Sequence, residues 1–152
     1  MSAVGRSDPT ADRVIVQERL FDAPRALVWK AWTKPELLAQ WWGPKQFTLP
    51  ECEVDFTVCG RYRMVMRAPD GTDHPFHGRY EEIVPNERIV FAAIIEGPPR
   101  VEVTTRVTFV SEENGKTRLT VVQSTPSDPN VAEGQTAGWS ASLEKLGAML
   151  KA

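Results

Sequence analysis

Between Val101 and Phe109 the chain alternates. Val101, Val103, Thr105, Val107 and Phe109 fall on one side, and Glu102, Thr104, Arg106 and Thr108 on the other. A period of two turns one strand face to a core and the other to water, as in a one-sided antiparallel sheet. Looser versions of this pattern predict strands over about 13–21, 47–56, 60–68, 75–83, 88–95 and 117–125. With 101–110 they make seven. Turn signals stand between the later strands at Pro69-Asp-Gly71, Val84-Pro-Asn-Glu87, Gly97-Pro-Pro99 and Asn114-Gly115. Both residues of Asn114-Gly115 tolerate positive φ, which makes it the sharpest hairpin mark.

Elsewhere the period lengthens to that of a helix. Asp22-Ala-Pro24 is a helix start, with Pro in the first turn, where its missing N–H costs nothing. That helix runs to about Trp32, with Val28 and Trp32 on one face. Thr33-Lys-Pro-Glu36 has the spacing of a capping box and opens a second short helix, ended near Trp41 by Gly43-Pro44. Near the end, Asn130 with Glu133 reads as an N-cap. Trp139, Leu143, Leu146 and Leu150 then form one apolar stripe on a helix of about 20 residues.

The order is one strand, two short helices, six strands and one long helix. A sheet with one apolar face needs a cover, and only the long helix can lie across it. This is an α+β fold. Residues 1–12, small and polar with one Pro, read as a disordered tail, and 13–152 as a single domain.

What lies between helix and sheet stays open at this level. Gly134, Gly138 and Gly147 interrupt the long helix, each at about 1 kcal/mol relative to Ala. The small residues at 134, 137, 138 and 141 make a low-volume patch that either closes tightly on the sheet or leaves a void. Tyr62, Met64 and Met66 point inward, and Gln123 lies in phase with Leu119 and Val121. An inward Gln needs a partner, which a side chain, a water or a ligand can supply. Trp41 and Trp42 raise a related question. Adjacent side chains diverge on a helix and oppose each other on a strand, so the two rings occupy different environments.

Composition adds mainly exclusions. The 152 residues carry a net charge of −2, which gives no reason to expect nucleic acid or an anionic membrane as partner. No apolar run is long enough to span a bilayer, and the N-terminus lacks the apolar core of a signal peptide. Cys52 and Cys59 are therefore expected as reduced thiols in a cytoplasmic protein. His74 and His77 are three apart on a strand, hence on opposite faces, and Asp70 and Asp73 have turn chemistry to do, so no metal site is expected. No phosphate loop, Gly-x-Ser-x-Gly or other local catalytic signature is present, and no cofactor is implied.

Several stretches together resemble a known family: Phe21-Asp-Ala-Pro-Arg25, Val28-Trp29, Ala31-Trp32-Thr33, Pro35-Glu36-Leu37, Trp41-Trp42-Gly43-Pro44, Val54-Asp55, Gly60-Arg61-Tyr62, Pro69-Asp-Gly71 and Gly138-Trp139. In order and spacing over residues 13–151 they resemble the bacterial heat-shock protein 90 ATPase activator homologues of the SRPBCC (START-like, Bet v-like) superfamily. The resemblance implies a helix-grip fold: a seven-stranded curved antiparallel sheet wrapped round a long C-terminal helix, with a hydrophobic cavity between them. One departure stands out. Related sequences often read Asp-x-Arg-x-Gly-Gly where this chain has Asp55-Phe-Thr-Val-Cys59-Gly60, so Cys59 carries a side chain where bare backbone was usual. The chain is also too short to hold the separate chaperone-binding domain of the eukaryotic activator.

The leading expectation is a non-catalytic module binding a small hydrophobic or aromatic molecule. Its candidate walls are Trp42, Phe47, Tyr62, Met64, Met66, His77, Tyr80, Phe91, Phe109, Gln123, Trp139 and Leu143, with His77, Tyr80 and Gln123 orienting the ligand. Of the two adjacent tryptophans, Trp42 is placed at the cavity mouth. Two alternatives remain open. One is a cyclase-, dehydratase- or hydrolase-like enzyme on an aromatic substrate, with His77 or Tyr80 as acid or base. The other is a protein-interaction role in the stress response, with a chaperone as partner. A monomer or homodimer fits either.

Overall fold

The computed structural model describes residues 14–44, 46–95, 100–125 and 129–151. The elements are β1 (Val14–Phe21), α1 (Arg25–Thr33), α2 (Pro35–Trp41), β2 (Thr48–Val54), β3 (Arg61–Arg67), β4 (Asp73–Val84), β5 (Arg88–Ile95), β6 (Val101–Glu112), β7 (Lys116–Ser124) and α3 (Pro129–Lys151). All seven strands form one antiparallel sheet in the order β1-β7-β6-β5-β4-β3-β2. The first strand thus closes against the last, and the sheet curls round α3 in the helix-grip arrangement.

Alternation decides the faces. On β6, Val103, Thr105, Val107 and Phe109 are buried, as the period of two requires. On β4 the phase changes midway. Phe76, Gly78 and Tyr80 face inward at even positions, and Ile83 packs on the core at an odd one. Tyr80 pairs with Phe91 and Glu82 with Val90, so Glu81 is an extra residue. This bulge shifts the register by one and bends the strand, keeping Ile83 inside a curved sheet.

The helices supply the other half of the core. Val28, Ala31 and Trp32 of α1, Leu38 and Trp41 of α2, and Trp139, Leu143 and Leu146 of α3 are all buried. Burying each of the larger of these side chains contributes about 1.5–3 kcal/mol.

Several local expectations change. Pro24 is the N-cap of α1 rather than a residue of its first turn. Thr33 caps nothing; its hydroxyl donates to Lys30 O at 3.3 Å, and Lys34 is the N-cap of α2. Lys34 sits between two helices in extended backbone, so Pro35 at the first helical position sets the start. Asn130 falls within the first turn of α3, which begins at Pro129. Asn114 and Gly115 both take positive φ, 65° and 71°, and turn the β6–β7 hairpin. Cys52 and Cys59 are free thiols. The 1–12 tail and the Gly97-Pro-Pro99 turn lie outside the described residues.

Candidate functional site

The two tryptophans part company at the end of α2. Trp41 is fully buried, and its Nε1 donates to Ala31 O at 3.0 Å, tying α2 to α1. Trp42 is half-buried and turns toward α3, its ring 5.3 Å from that of Trp139 and stacked at 6.1 Å on Phe76. Four hydrogen bonds hold it there. Ser142 Oγ accepts from Gly43 N–H at 3.0 Å and donates to Gly43 O at 2.9 Å. Lys145 Nζ donates to Pro44 O at 3.3 Å and to Trp42 O at 3.5 Å. Gly43 has φ +100°, a conformation that L side chains rarely adopt. Partial burial lowers the Lys145 pKa below its ordinary value.

Beyond this staple lies an open-sided cleft of about 310 Å³ between the N-terminal half of α3 and strands β3 to β7. Trp42, Pro44, Met66, Phe76, Ala93, Val103, Val131 and Trp139 give it carbon walls. Gly134 and Gly138 face it from α3, so the low-volume patch of the helix leaves a void at this end. A Cβ built on Gly134 would meet nothing within 4 Å, and one on Gly138 only Pro44 Cγ at 4.0 Å. The polar side-chain groups are few: Gln123, Gln135, Ser142 and the indole N–H groups of Trp42 and Trp139.

Their arrangement follows from one donor. An indole N–H can only donate. Trp139 Nε1 reaches Gln123 at 3.1 Å, so the Gln123 amide must present Oε1 there. Its Nε2 then donates to Thr105 Oγ1 at 2.7 Å. Gln135 in turn must offer Nε2, which lies 2.7 Å from Gln123 Oε1 and 3.1 Å from Ser124 O. With both acceptors served by Nε2, Gln135 Oε1 is left buried with no hydrogen-bond partner among the described residues.

The expected wall residues divide into five groups. Trp42, Met66, Gln123 and Trp139 come together at the cleft. Tyr62, Met64, Tyr80 and Phe91 instead surround, with Trp32, Trp42, Leu38 and Ile89, a void of only about 10 Å³, room for one water at most. Ring packing closes that region: Tyr62 lies 5.5 Å from Tyr80 and 6.0 Å from Phe91. Phe109 packs under Trp29 and Trp32, and Leu143 is core. Phe47 is half-buried beside Gly43, with its ring 6.0 Å from that of His74. His77 does not face the interior. It sits between the inward Phe76 and Gly78, so it lies on the outer face of the sheet with Arg61 and Arg63. The sequence reading passed over Phe76, Gln135 and Ser142. Gln135, Gly138, Trp139 and Ser142 are spaced three, one and three apart, one face of α3, and that periodicity could have found the polar pair.

Among the described residues no group of His, Cys, Asp and Glu could hold a metal, and no helix is long and apolar enough to cross a membrane. The family model described as Activator of Hsp90 ATPase homolog 1-like protein matches residues 22–151. A crystal structure of a Chromobacterium violaceum protein is 31% identical, with a TM-score of 0.83, and the alignment covers 93% of this chain and 99% of that one. A Nitrosomonas europaea protein is 25% identical, TM-score 0.81, over 93% of this chain and 96% of that one. A protein of Silicibacter pomeroyi described as AHSA1 is 25% identical, TM-score 0.77, over 91% and 97%. No curated protein matches the chain.

Proposed function

The chain belongs to the Activator of Hsp90 ATPase homolog 1-like family, whose fold is in general a ligand-binding one, and on that premise we propose that it binds a small apolar or aromatic molecule in the Trp42–Trp139 cleft. The observation that carries this reading is the cleft itself: about 310 Å³ walled by indole, phenyl, thioether and aliphatic carbon. That volume is at the lower end of the roughly 300–1,000 Å³ of small-molecule sites, which fits a ligand of one or two rings. Binding is favoured over turnover. The cleft's polar side-chain groups are amides, two indole N–H donors and one hydroxyl already engaged with Gly43 at both its donor and acceptor sides. General acid–base work needs a titratable group within hydrogen-bond reach of the substrate. Tyr80 and His77, the two groups considered for that work, lie away from the cleft.

Isothermal titration calorimetry with benzothiophene, a bicyclic apolar probe, tests the proposal. Wild-type protein is expected to bind one equivalent saturably. Gly138→Leu has room for its first carbon beside Pro44 and carries the rest into the cleft. It is expected to lower affinity by about tenfold or more while keeping the fold by circular dichroism. Absence of saturable binding, or equal binding by the variant, would count against the cleft.

A further inference from the structure

We infer that the ligand is an aromatic compound carrying an acceptor oxygen, which takes a hydrogen bond from Trp42 Nε1. This rests on the cleft being the binding site. Among the described residues Trp42 makes hydrogen bonds only through its backbone: its N–H donates to Leu38 O at 2.9 Å, and its carbonyl accepts from Lys145 Nζ. Its indole N–H has no protein acceptor. The side-chain atoms that are both buried and unpartnered are Trp32 Nε1 and Gln135 Oε1, so Trp42 Nε1 keeps access to water. The Trp42 ring borders two spaces, the cleft and the void with room for one water at most, and only the cleft admits a ligand. The ring stands between Phe76 and Trp139, two buried residues of the cleft wall. A ligand filling the cleft therefore lies against it and displaces its water.

The other polar side chains of the lining are already committed. Trp139 Nε1 donates to Gln123 Oε1, Gln123 Nε2 to Thr105 Oγ1, Gln135 Nε2 to Gln123 Oε1 and Ser124 O, and the Ser142 hydroxyl to Gly43 O. The acceptors are engaged as well. Gln123 Oε1 takes both Trp139 and Gln135, and Ser142 Oγ takes Gly43 N–H. Trp42 Nε1 is the donor group left over, and an indole N–H can only donate. A ligand of carbon alone would strip its water and return nothing, which wastes the donor's hydration. A carbonyl or carboxylate oxygen on the ligand replaces that water.

The test compares coumarin, a bicyclic aromatic lactone with a carbonyl oxygen, with benzothiophene, a bicyclic of similar size without an oxygen. Trp42→Phe keeps an aromatic ring in the wall and removes the N–H. Both probes lose ring contact in the variant, so the ratio of their affinities reads the hydrogen bond. The ratio of coumarin to benzothiophene affinity is expected to fall about fivefold from wild type to Trp42→Phe. A second readout needs only wild-type protein, and so holds even where the variant does not fold. In ¹⁵N-labelled protein the Trp42 indole proton and nitrogen resonances are expected to move further downfield with coumarin than with benzothiophene. An unchanged ratio in a folded variant, or equal shifts with the two probes, would overturn the inference and leave the cleft standing. Saturable binding of benzothiophene without any of coumarin would do the same. Failure of both probes to bind would instead overturn the cleft reading, and this inference with it.

Discussion

The Tyr62 side chain passes directly over Gly78. A Cβ on Gly78 would stand 2.6 Å from the Tyr62 hydroxyl oxygen and would collide with the carbonyl oxygen of Ala92. The bare backbone at Gly78 therefore lets the Tyr62 hydroxyl cross β4 and donate to Ala92 O at 2.7 Å. Gly78→Ala is expected to destabilise by about 3 kcal/mol or more, because backbone on the neighbouring strand must shift. Tyr62→Phe removes only the hydrogen bond and is expected to cost about 1–2 kcal/mol. Urea denaturation of both variants checks the order.

Tyr62 and Tyr80 are the only two tyrosines, and both are buried. Burial raises both pKa values above the ordinary 10.0. Above that pH the unfolded chain gives up two protons that the native state holds. Stability is therefore expected to be complete below about pH 10 and to fall as pH rises beyond it. The near-ultraviolet absorbance of tyrosinate should stay flat until the protein unfolds, then rise in one step. Lys145 acts with the opposite sign, since its lowered pKa makes stability rise with pH in the range just below its ordinary 10.5. Tyr62→Phe and Tyr80→Phe should flatten the alkaline loss, and Lys145→Met should remove the rise beneath it.

Trp41 and Trp42 should separate cleanly on substitution. Trp41→Ala opens a cavity in the core and strands Ala31 O, and is expected to cost about 3–5 kcal/mol. Trp42→Ala removes a half-buried ring from the cleft wall. It should cost less stability and weaken benzothiophene binding more. Thermal melting and calorimetry on the same pair of variants read both effects.

Much of the fold was visible along the chain because β6, β7 and α3 each carry a single unbroken period. The alternation on β6 needed no tertiary information. The caps were less legible. Thr33-Lys-Pro-Glu36 has the letters of a capping box, yet the turn between α1 and α2 is so tight that Thr33 still belongs to α1, where its hydroxyl reaches back to Lys30 O. The phase change at Glu81 was hidden for a similar reason. A bulge adds one residue without altering composition, so nothing in the letters marks it.

The cleft was legible only as a choice. Small residues on α3 predicted either close packing or a void, and beside Gly134 and Gly138 the outcome is the void. The tight packing around Tyr62 and Tyr80 is made by α1, α2 and the strands instead. The strand pattern could say that Tyr62, Met64 and Met66 point inward. It could not say that two of them end in a filled core and one at a cleft. That depends on where α2 delivers Trp42, which Ser142 and Lys145 fix across about a hundred residues of sequence.

Cys59 occupies a position that suits glycine. Its φ is +68°, a left-handed conformation in which a Cβ crowds the carbonyl that follows it. The geometry is imposed from outside: Cys59 N–H donates to Tyr80 O at 2.8 Å, and Tyr80 N–H donates back to Gly60 O at 2.9 Å. The side chain is exposed, so its removal gives up little burial. Cys59→Gly relieves the strain at the cost of a more flexible unfolded chain, and the balance is expected to stabilise the protein by about 0.5–1 kcal/mol. The neighbouring position behaves oppositely. A Cβ on Gly60 would collide with Asp55 O and stand 2.6 Å from Thr57 Oγ1, so Gly60→Ala should destabilise. Cys52 gives an internal control, because burial pushes its thiol up to about 11 and holds it protonated near neutral pH. Wild-type protein should therefore show one thiol that reacts rapidly with a disulfide reagent, and Cys59→Gly none, while its urea midpoint moves upward. A midpoint that moved down would mean that the Cys59 side chain stabilises this turn in a way its backbone angles do not reveal.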